Sequence, residues 1–274
     1  MPAKMIDGQK LAEAIKKEVG KEIVEKHLQP GLAIILIGDD PASHLYVKLK
    51  KKACQQVGIE FHKYYCSGQS CLKEVPEAIK FLNKDPAINA ILIQLPLPKE
   101  FDENATIKLM DPKKDVDGFH PDQTFLTPGL AGGILNLIKS TKENLAGKKA
   151  VIVSNSPVFA GPIKKILDEQ EVKTEAYLAD EKNLGDKASQ ADILIVAVGR
   201  PNFITEEMVK QNSIVIDVGT NRQAGTIVGD VDFNSVKNKA GWLTPVPGGV
   251  GPMTIAMLLK NTVELTKKQK AKNF

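Results

Sequence analysis

VIVSNSPVFAGP, residues 151–162, begins as an apolar run and ends as the start of a helix. Ala150 to Val153 are apolar, and the run stops at Ser154-Asn155-Ser156. A short loop leads to Gly161-Pro162 and a periodic segment from Ile163 to Leu167. This order predicts a strand, a turn and a helix start. In many α/β proteins such a turn cradles phosphate groups of a dinucleotide, although the glycines of G-x-G-x-x-G are absent here.

The same alternation extends to both sides. Towards the N-terminus, Leu11, Ile15, Val19 and Ile23 recur every four residues and predict a helix over 8–27. GLAIILIGDD (31–40) reads as a strand buried on both faces, which suits a parallel sheet. Helices are expected over 43–57 and 75–82, and strands at IEFHKYY (59–65) and INAILIQL (88–95). Pro112, Pro121, Pro128 and several glycines then break all periodicity in 111–133, which marks a domain junction. A second series follows: a helix over 134–139, then strands at 150–153, 172–177, 192–198 and 213–218, and an extra strand in GTIVGDV (225–231). Pro252 suits a helix start, and a helix is expected from Met253 to Leu265 with a frayed, lysine-rich tail. Strands alternating with helices in two series imply an α/β protein of two domains.

Composition narrows the function classes. With 274 residues, 42% hydrophobic and 26% charged, the chain has the make-up of an ordinary globular protein with room for two domains. A net charge of +4 with scattered lysines, and only 5% aromatics, argues against nucleic-acid binding. Arg200 and Arg222 are the only arginines. Cys54, Cys66 and Cys71 have neither metal-ligand nor C-x-x-C spacing and read as reduced thiols. No metal site is expected. There is no signal-peptide pattern and no apolar run near the roughly 18 residues of a membrane span, so a cytoplasmic protein is expected.

Candidate chemistry sits in short stretches. In SHLYVKLKKKAC (43–54), Tyr46 and Lys50 share a helical face, whereas Lys48 lies about 200° around from Tyr46. Gln94 follows a buried strand, at the end where open α/β sheets bind ligands. In KKDVDGFHP (113–121), Asp115 and Asp117 lack a third metal ligand, and Asp117 before Gly118 suits an Asx turn. TPVPGGVGPMT (244–254) packs glycines and prolines into the approach to a helix N-terminus.

Taken together and in order, Tyr46-x-x-x-Lys50, QLPLP (94–98), KDVDGFHP (114–121) and TPVPGGVGPMT (244–254) resemble the bifunctional methylenetetrahydrofolate dehydrogenase/methenyltetrahydrofolate cyclohydrolase family over nearly the whole chain. GDVDF (229–233) and VIDVGTN (215–221) fit as well. The resemblance implies an N-terminal folate-binding α/β catalytic domain, 1–119, and a Rossmann-type parallel-sheet dinucleotide-binding domain, 120–252, with a folate cleft between them. It implies a C-terminal helix, about 253–274, that returns to the first domain, and a homodimer. The implied activity oxidises 5,10-methylenetetrahydrofolate with a nicotinamide cofactor and hydrolyses the methenyl product to 10-formyltetrahydrofolate. Lys50 would be the catalytic lysine, Tyr46 would stack on the folate, Gln94 would contact Lys50, and Asp117 would bind the pterin. Pro247 and Gly248 would add substrate contacts. Ser154, Asn155, Ser156, Thr220, Gly248 and Gly249 would line the cofactor. A lysine helps water attack only when some of it is neutral, so its pKa must fall from the ordinary ~10.4.

At the nucleotide turn the chain departs from the family, which has Gly-Arg-Ser and then Val-Gly-x-Pro. Here the positions read Ser154-Asn155-Ser156 and Phe159-Ala160-Gly161-Pro162. The arginine that grips the 2′-phosphate of NADP is Asn155 in this chain. The next strand end, TEAYLADEK (174–182), offers Glu175, Asp180 and Glu181, where negative charge suits a free ribose hydroxyl. Weak NADP binding through Lys164, Lys165 or Lys182, a preference for NAD, and a cyclohydrolase without the dehydrogenase step all follow as alternatives. A two-domain Rossmann dehydrogenase of the shikimate or amino-acid type leaves QLPLP and KDVDGFHP unexplained. A folate-binding scaffold leaves the joint survival of Tyr46, Lys50, Gln94 and Asp117 unexplained.

Overall fold

A computed structural model describes residues 2–223 and 225–271. The chain runs β1 (Lys4–Met5), α1 (Gly8–Glu25), β2 (Gly31–Ile37), α2 (Pro41–Val57), β3 (Glu60–Cys66), α3 (Cys71–Lys84), β4 (Ala90–Ile93), α4 (Glu103–Ile107) and α5 (Gly129–Ser140). It continues β5 (Lys149–Ser154), α6 (Pro157–Asp168), β6 (Lys173–Tyr177), α7 (Leu184–Ala188), β7 (Ile193–Ala197), β8 (Ile214–Asp217), β9 (Asn221–Gln223), β10 (Thr226–Val228), α8 (Phe233–Val236), β11 (Trp242–Leu243) and α9 (Val250–Ala271). One unit holds the residues through Ala12 with Leu130–Thr254; the other holds Glu13–Gly129 with the residues from Ile255 on.

In the unit of Glu13–Gly129, β2 is the middle strand of a parallel sheet, β3-β2-β4. Every residue of β2 is buried, so its period-2 pattern is visible only in what each face meets. Leu32, Ile34 and Leu36 pack with Val19 and Ile23 of α1, Val47, Cys54 and Val57 of α2, and Leu258, Leu259 and Val263 of α9. Ala33, Ile35 and Ile37 pack with Val75, Ile79 and Leu82 of α3. A sheet covered on both faces needs unbroken apolar strands, which is why 31–37 shows no polar alternation.

The other unit is built on the sheet β1-β11-β8-β7-β5-β6, whose paired strands are parallel. Its core holds Val151, Val153, Leu194, Val196 and Val215. β1 was not foreseen: two residues show no periodicity, and their place comes only from pairing Lys4 with Trp242 and Met5 with Leu243. The units divide after Gly129, inside the junction read at 111–133 and past the 119/120 boundary that the resemblance implies, and the first residues fall with this unit because β1 joins its sheet.

The extra strand expected in 225–231 is present as β10 over Thr226–Val228, paired antiparallel with β9 and outside the main sheet. One further expectation is corrected. The expected fraying beyond Leu265 is absent as far as Ala271. Lys267 pairs with Glu22 at 2.7 Å and Glu264 at 2.6 Å, and Gln269 Nε2 donates to Asn89 O at 2.8 Å, so the last turns are tied down. Residues 272–274 of the expected helix lie outside the described residues. Among the described residues, no helix is long and apolar enough to cross a membrane.

Candidate active site

Lys50 owes its position to how α2 begins and which face it buries. Gly38 turns at φ 80°, and Asp40 caps the helix by accepting from Ser43 N at 2.7 Å. Pro41 sits in the first turn, where a missing N–H costs nothing. Val47, Cys54 and Val57 form the buried stripe, and Lys50 falls between the first two. Lys48, Lys51 and Lys52 are exposed. Tyr46 stands one turn before Lys50 with 38% of its surface open.

Gln94 follows β4, where its backbone N–H still donates to Ile35 O at 2.9 Å. Lys50 Nζ donates to Gln94 Oε1 at 2.9 Å, and Gln94 Nε2 donates to Leu95 O at 2.8 Å. Burial lowers the pKa of Lys50, while Asp117 and Cys54 pull it back up. The Asp117 carboxyl is pushed up to about 6, chiefly by burial; Lys50 opposes this and Asp115 adds to it. Cys54, one turn below Lys50, is pushed up to about 12 by burial and stays a thiol. Lys50 is thus hydrogen-bonded to Gln94 and interacts electrostatically with Asp117, and both the amine and the carboxylate are part-buried.

The loop bearing Asp117 is fastened on every side. Ile91 N donates to Lys114 O at 2.7 Å and Val116 N to Ile91 O at 3.3 Å, which lays 114–116 beside β4. Lys114 Nζ donates to Leu82 O and Asp85 O, both at 2.8 Å, closing the carboxyl end of α3. Asn261 Nδ2 donates to Val116 O at 3.2 Å and Thr127 O at 3.1 Å. The Asx role expected of Asp117 belongs to Asp115, whose side chain accepts from the backbone N–H of Asp117 and Gly118. Asp115, Lys114 and Asn261 were missed as site residues. The signals were an aspartate two and three residues before the turn amides, and a lone asparagine inside an apolar helix.

In the unit of Leu130–Thr254, Ser154, Asn155 and Ser156 end β5, which lies between β6 and β7. Strand order reverses here, the place where open α/β sheets take ligands. Ser154 is buried and its hydroxyl accepts from Ser156 N at 3.0 Å; Ser156 caps α6 by accepting from Phe159 N at 3.3 Å. Asn155 Nδ2 donates to Val198 O at 2.9 Å, across the mouth between β5 and β7. An exposed turn at the head of a twelve-residue helix, at a reversal of strand order, fits a dinucleotide phosphate bridge.

Buried carboxylates brace the loops around that mouth. Asp230 accepts from Val198 N, Gly199 N and Asn221 Nδ2 at 2.6, 3.0 and 2.8 Å. Asp217 accepts from Gly219 N, Asp230 N and Val231 N at 2.9, 3.0 and 3.0 Å. Thr220 stands exposed between these anchors. Pro247, Gly248 and Gly249 belong to this same unit. Gly248 has φ 107°, and a Cβ on Gly249 would come within 2.6 Å of Pro245 O, so what approaches closely there is the protein's own backbone.

Glu175 does not sit at the end of β6 as expected. It lies mid-strand and pairs with Lys149 at 3.0 Å. Asp180 and Glu181 do follow the strand, and Glu181 pairs with Lys187 at 2.6 Å. Lys164 donates to Thr174 O at 2.6 Å and pairs with Asp168 at 3.0 Å; Lys165 and Lys182 are exposed. Cys54, Cys66 and Cys71 are free thiols, and among the described residues no group of three or more His, Cys, Asp or Glu could hold a metal.

Comparison with known proteins matches this layout. Residues 6–117 match the family described as tetrahydrofolate dehydrogenase/cyclohydrolase, catalytic domain, and residues 128–270 match its NAD(P)-binding domain. The bifunctional protein FolD of Halothermothrix orenii is 45% identical, over 96% of this chain and 98% of that protein. The crystal structure of the bifunctional FolD enzyme of Campylobacter jejuni has a TM-score of 0.94 at 39% identity, covering 97% of this chain and 99% of that one. The Trypanosoma brucei enzyme, solved with NADP cofactor and inhibitor, has a TM-score of 0.93 at 29% identity, covering 98% and 99%.

Proposed function

This chain belongs to the tetrahydrofolate dehydrogenase/cyclohydrolase family, and from that membership we propose that Lys50, with Gln94, Asp117 and Tyr46, carries its folate chemistry. The enzyme oxidises 5,10-methylenetetrahydrofolate to the 5,10-methenyl form with NAD(P) and hydrolyses that product to 10-formyltetrahydrofolate.

A nicotinamide, when bound, supplies the hydride acceptor for the oxidation. Ser154, Asn155, Ser156 and Thr220 would hold the dinucleotide. Hydride loss leaves a delocalised methenyl cation, so what this step asks of the protein is orientation. Tyr46 offers a ring face to the pterin, and the Asp117 carboxylate accepts from pterin N–H donors.

Hydrolysis asks more. Water adds to the cationic carbon and must lose a proton. The bond from that carbon to N5 then breaks, the hydroxyl hydrogen is lost as the formyl C=O forms on N10, and N5 takes up a proton, so one proton is released overall. Neutral Lys50 takes the proton of the attacking water, and Gln94 Oε1, by accepting one amine hydrogen, leaves the nitrogen lone pair free to do so. A cationic substrate beside a half-buried amine further favours the neutral form. The single observation that carries this reading is the Lys50–Gln94 hydrogen bond, made by an amine on which the Asp117 carboxylate also acts.

Absorbance of the methenyl form tests both halves. Its consumption reports cyclohydrolase, and its appearance from the methylene form, with NAD and NADP supplied separately, reports dehydrogenase. Turnover in neither assay, with folate still bound, would leave only a binding protein. The same proposal makes the enzyme a cytoplasmic homodimer that acts on tetrahydrofolate derivatives and needs neither nucleic acid nor membrane. Light scattering that gives the mass of a single chain would remove the dimer from it.

A further inference from the structure

Asp115 is assigned no chemistry of its own in the folate reaction, yet it is fully buried. Its Oδ1 accepts from Asp117 N and Gly118 N, both at 3.1 Å, and its Oδ2 accepts from His120 N at 2.7 Å. We propose that Asp115 is a positioning residue for the folate reaction: its carboxylate gathers the amides of the 117–120 turn and thereby sets where Asp117 stands against Lys50. The inference rests on the assignment of Lys50 and Asp117 given above.

The rest of the loop is held without Asp115. Lys114 and Val116 are fixed by β4, α3 and Asn261, as described. Beyond Val116, the turn depends on the carboxylate. Gly118 adopts φ 78°, and a Cβ there would meet Pro128 at 3.0 Å, so the turn passes close to Pro128 at a position only glycine fits. Gln123 Nε2 donates to Asp115 O at 3.2 Å and closes the far side. A carboxylate seated on successive amides is a strong, directional clamp.

Charge gives a second handle on the same role. The groups that act on Asp117 are Lys50 from α2, which favours its ionised form, and Asp115 from its own loop, which opposes it. Cys54, also on α2, acts on Lys50 and is a thiol. A residue that merely supports the fold would leave the pH dependence of catalysis where it is. Removing the charge of Asp115 makes Asp117 easier to ionise.

The test is full-length Asp115→Asn, with cyclohydrolase KM and kcat measured from pH 5 to 9 beside wild type, Asp117→Asn and Lys50→Met. The expected result is a KM for the methenyl form raised about tenfold. The acid limb of kcat/KM should move down by about one pH unit. An unchanged acid limb with KM within about twofold of wild type would overturn the proposal. So would a loss of kcat alone. Near-wild-type hydrolysis by Lys50→Met and Asp117→Asn would instead show that the underlying site assignment fails. If Asp115→Asn does not fold, Asp115→Ser keeps an oxygen acceptor and reads the same quantities. Failure of both to fold would make Asp115 a folding residue and also overturn the proposal.

Discussion

Lys50 Nζ and Gln94 Oε1 are 2.9 Å apart, and the other end of the Gln94 amide is fixed on Leu95 O. The acceptor facing Lys50 is therefore set by the backbone after β4. Gln94→Ala should leave a recessed amine without its acceptor and its lone pair undirected. We expect cyclohydrolase kcat to fall by about a hundredfold. Dehydrogenase turnover should fall less, because orientation there is shared with Tyr46 and Asp117. Equal loss of both activities would show that Gln94 supports binding in general.

Asp117 sets a pH dependence. Its carboxyl is pushed up to about 6 by burial, against the pull of Lys50. Below that pH it is protonated and no longer accepts as an anion. Below about pH 6, cyclohydrolase kcat/KM should therefore fall more steeply than protonation of Lys50 alone requires, by a further factor approaching tenfold per pH unit. Asp117→Asn should remove this added fall, leave the one due to Lys50, and raise KM. A wild-type profile that is flat from pH 5 to 7 would contradict the assignment.

The nucleotide turn predicts a preference for NAD. Asn155 is uncharged and its amide is engaged by Val198 O. Asp180 and Glu181 follow β6, and Lys164 is drawn away to Asp168 and Thr174. A 2′-phosphate that lacks a charge-assisted partner loses about 1.5–3 kcal/mol, or roughly ten- to a hundredfold in affinity. Calorimetric titration with NAD+ and NADP+ should show NAD+ binding tighter by about that factor. Asn155→Arg should narrow the gap. Tighter NADP+ binding by the wild type would contradict this reading of the turn.

Stability carries the mark of Asp217. Burial lifts its carboxyl from 3.8 to about 6 in spite of its amide donors. The folded state thus holds this proton more tightly than the unfolded chain does. Its contribution to stability is present at acid pH and is lost as pH rises through about 6. Relative to Asp217→Asn, wild type should gain roughly 2 kcal/mol on going from pH 7 to pH 4. Urea unfolding of both proteins at the two pH values measures this, and a constant difference would contradict it.

Much of this was legible in the residues. The strand at 31–37 and the turn at 154–156 follow from apolar runs that stop at turn residues; helical spacing put Lys50, and not Lys48, on the face of Tyr46, while its catalytic role came from the family resemblance. What was hidden depends on distant partners. β1 exists only by pairing with β11, the last turns of α9 are tied to Glu22 and Asn89, and β9, the strand that β10 pairs with, gives no period long enough to read. The Asx role fell on the wrong aspartate because Asp115 and Asp117 both precede Gly118, and only the hydrogen bonds distinguish clamp from clamped.

Single-turnover hydrolysis of the methenyl form by Lys50→Met, with folate affinity measured on the same protein, is the most direct test of the central claim. The expected result is retained folate binding with hydrolysis reduced to the rate in buffer. Hydrolysis near the wild-type rate would contradict the claim that the Lys50 amine removes the proton from attacking water.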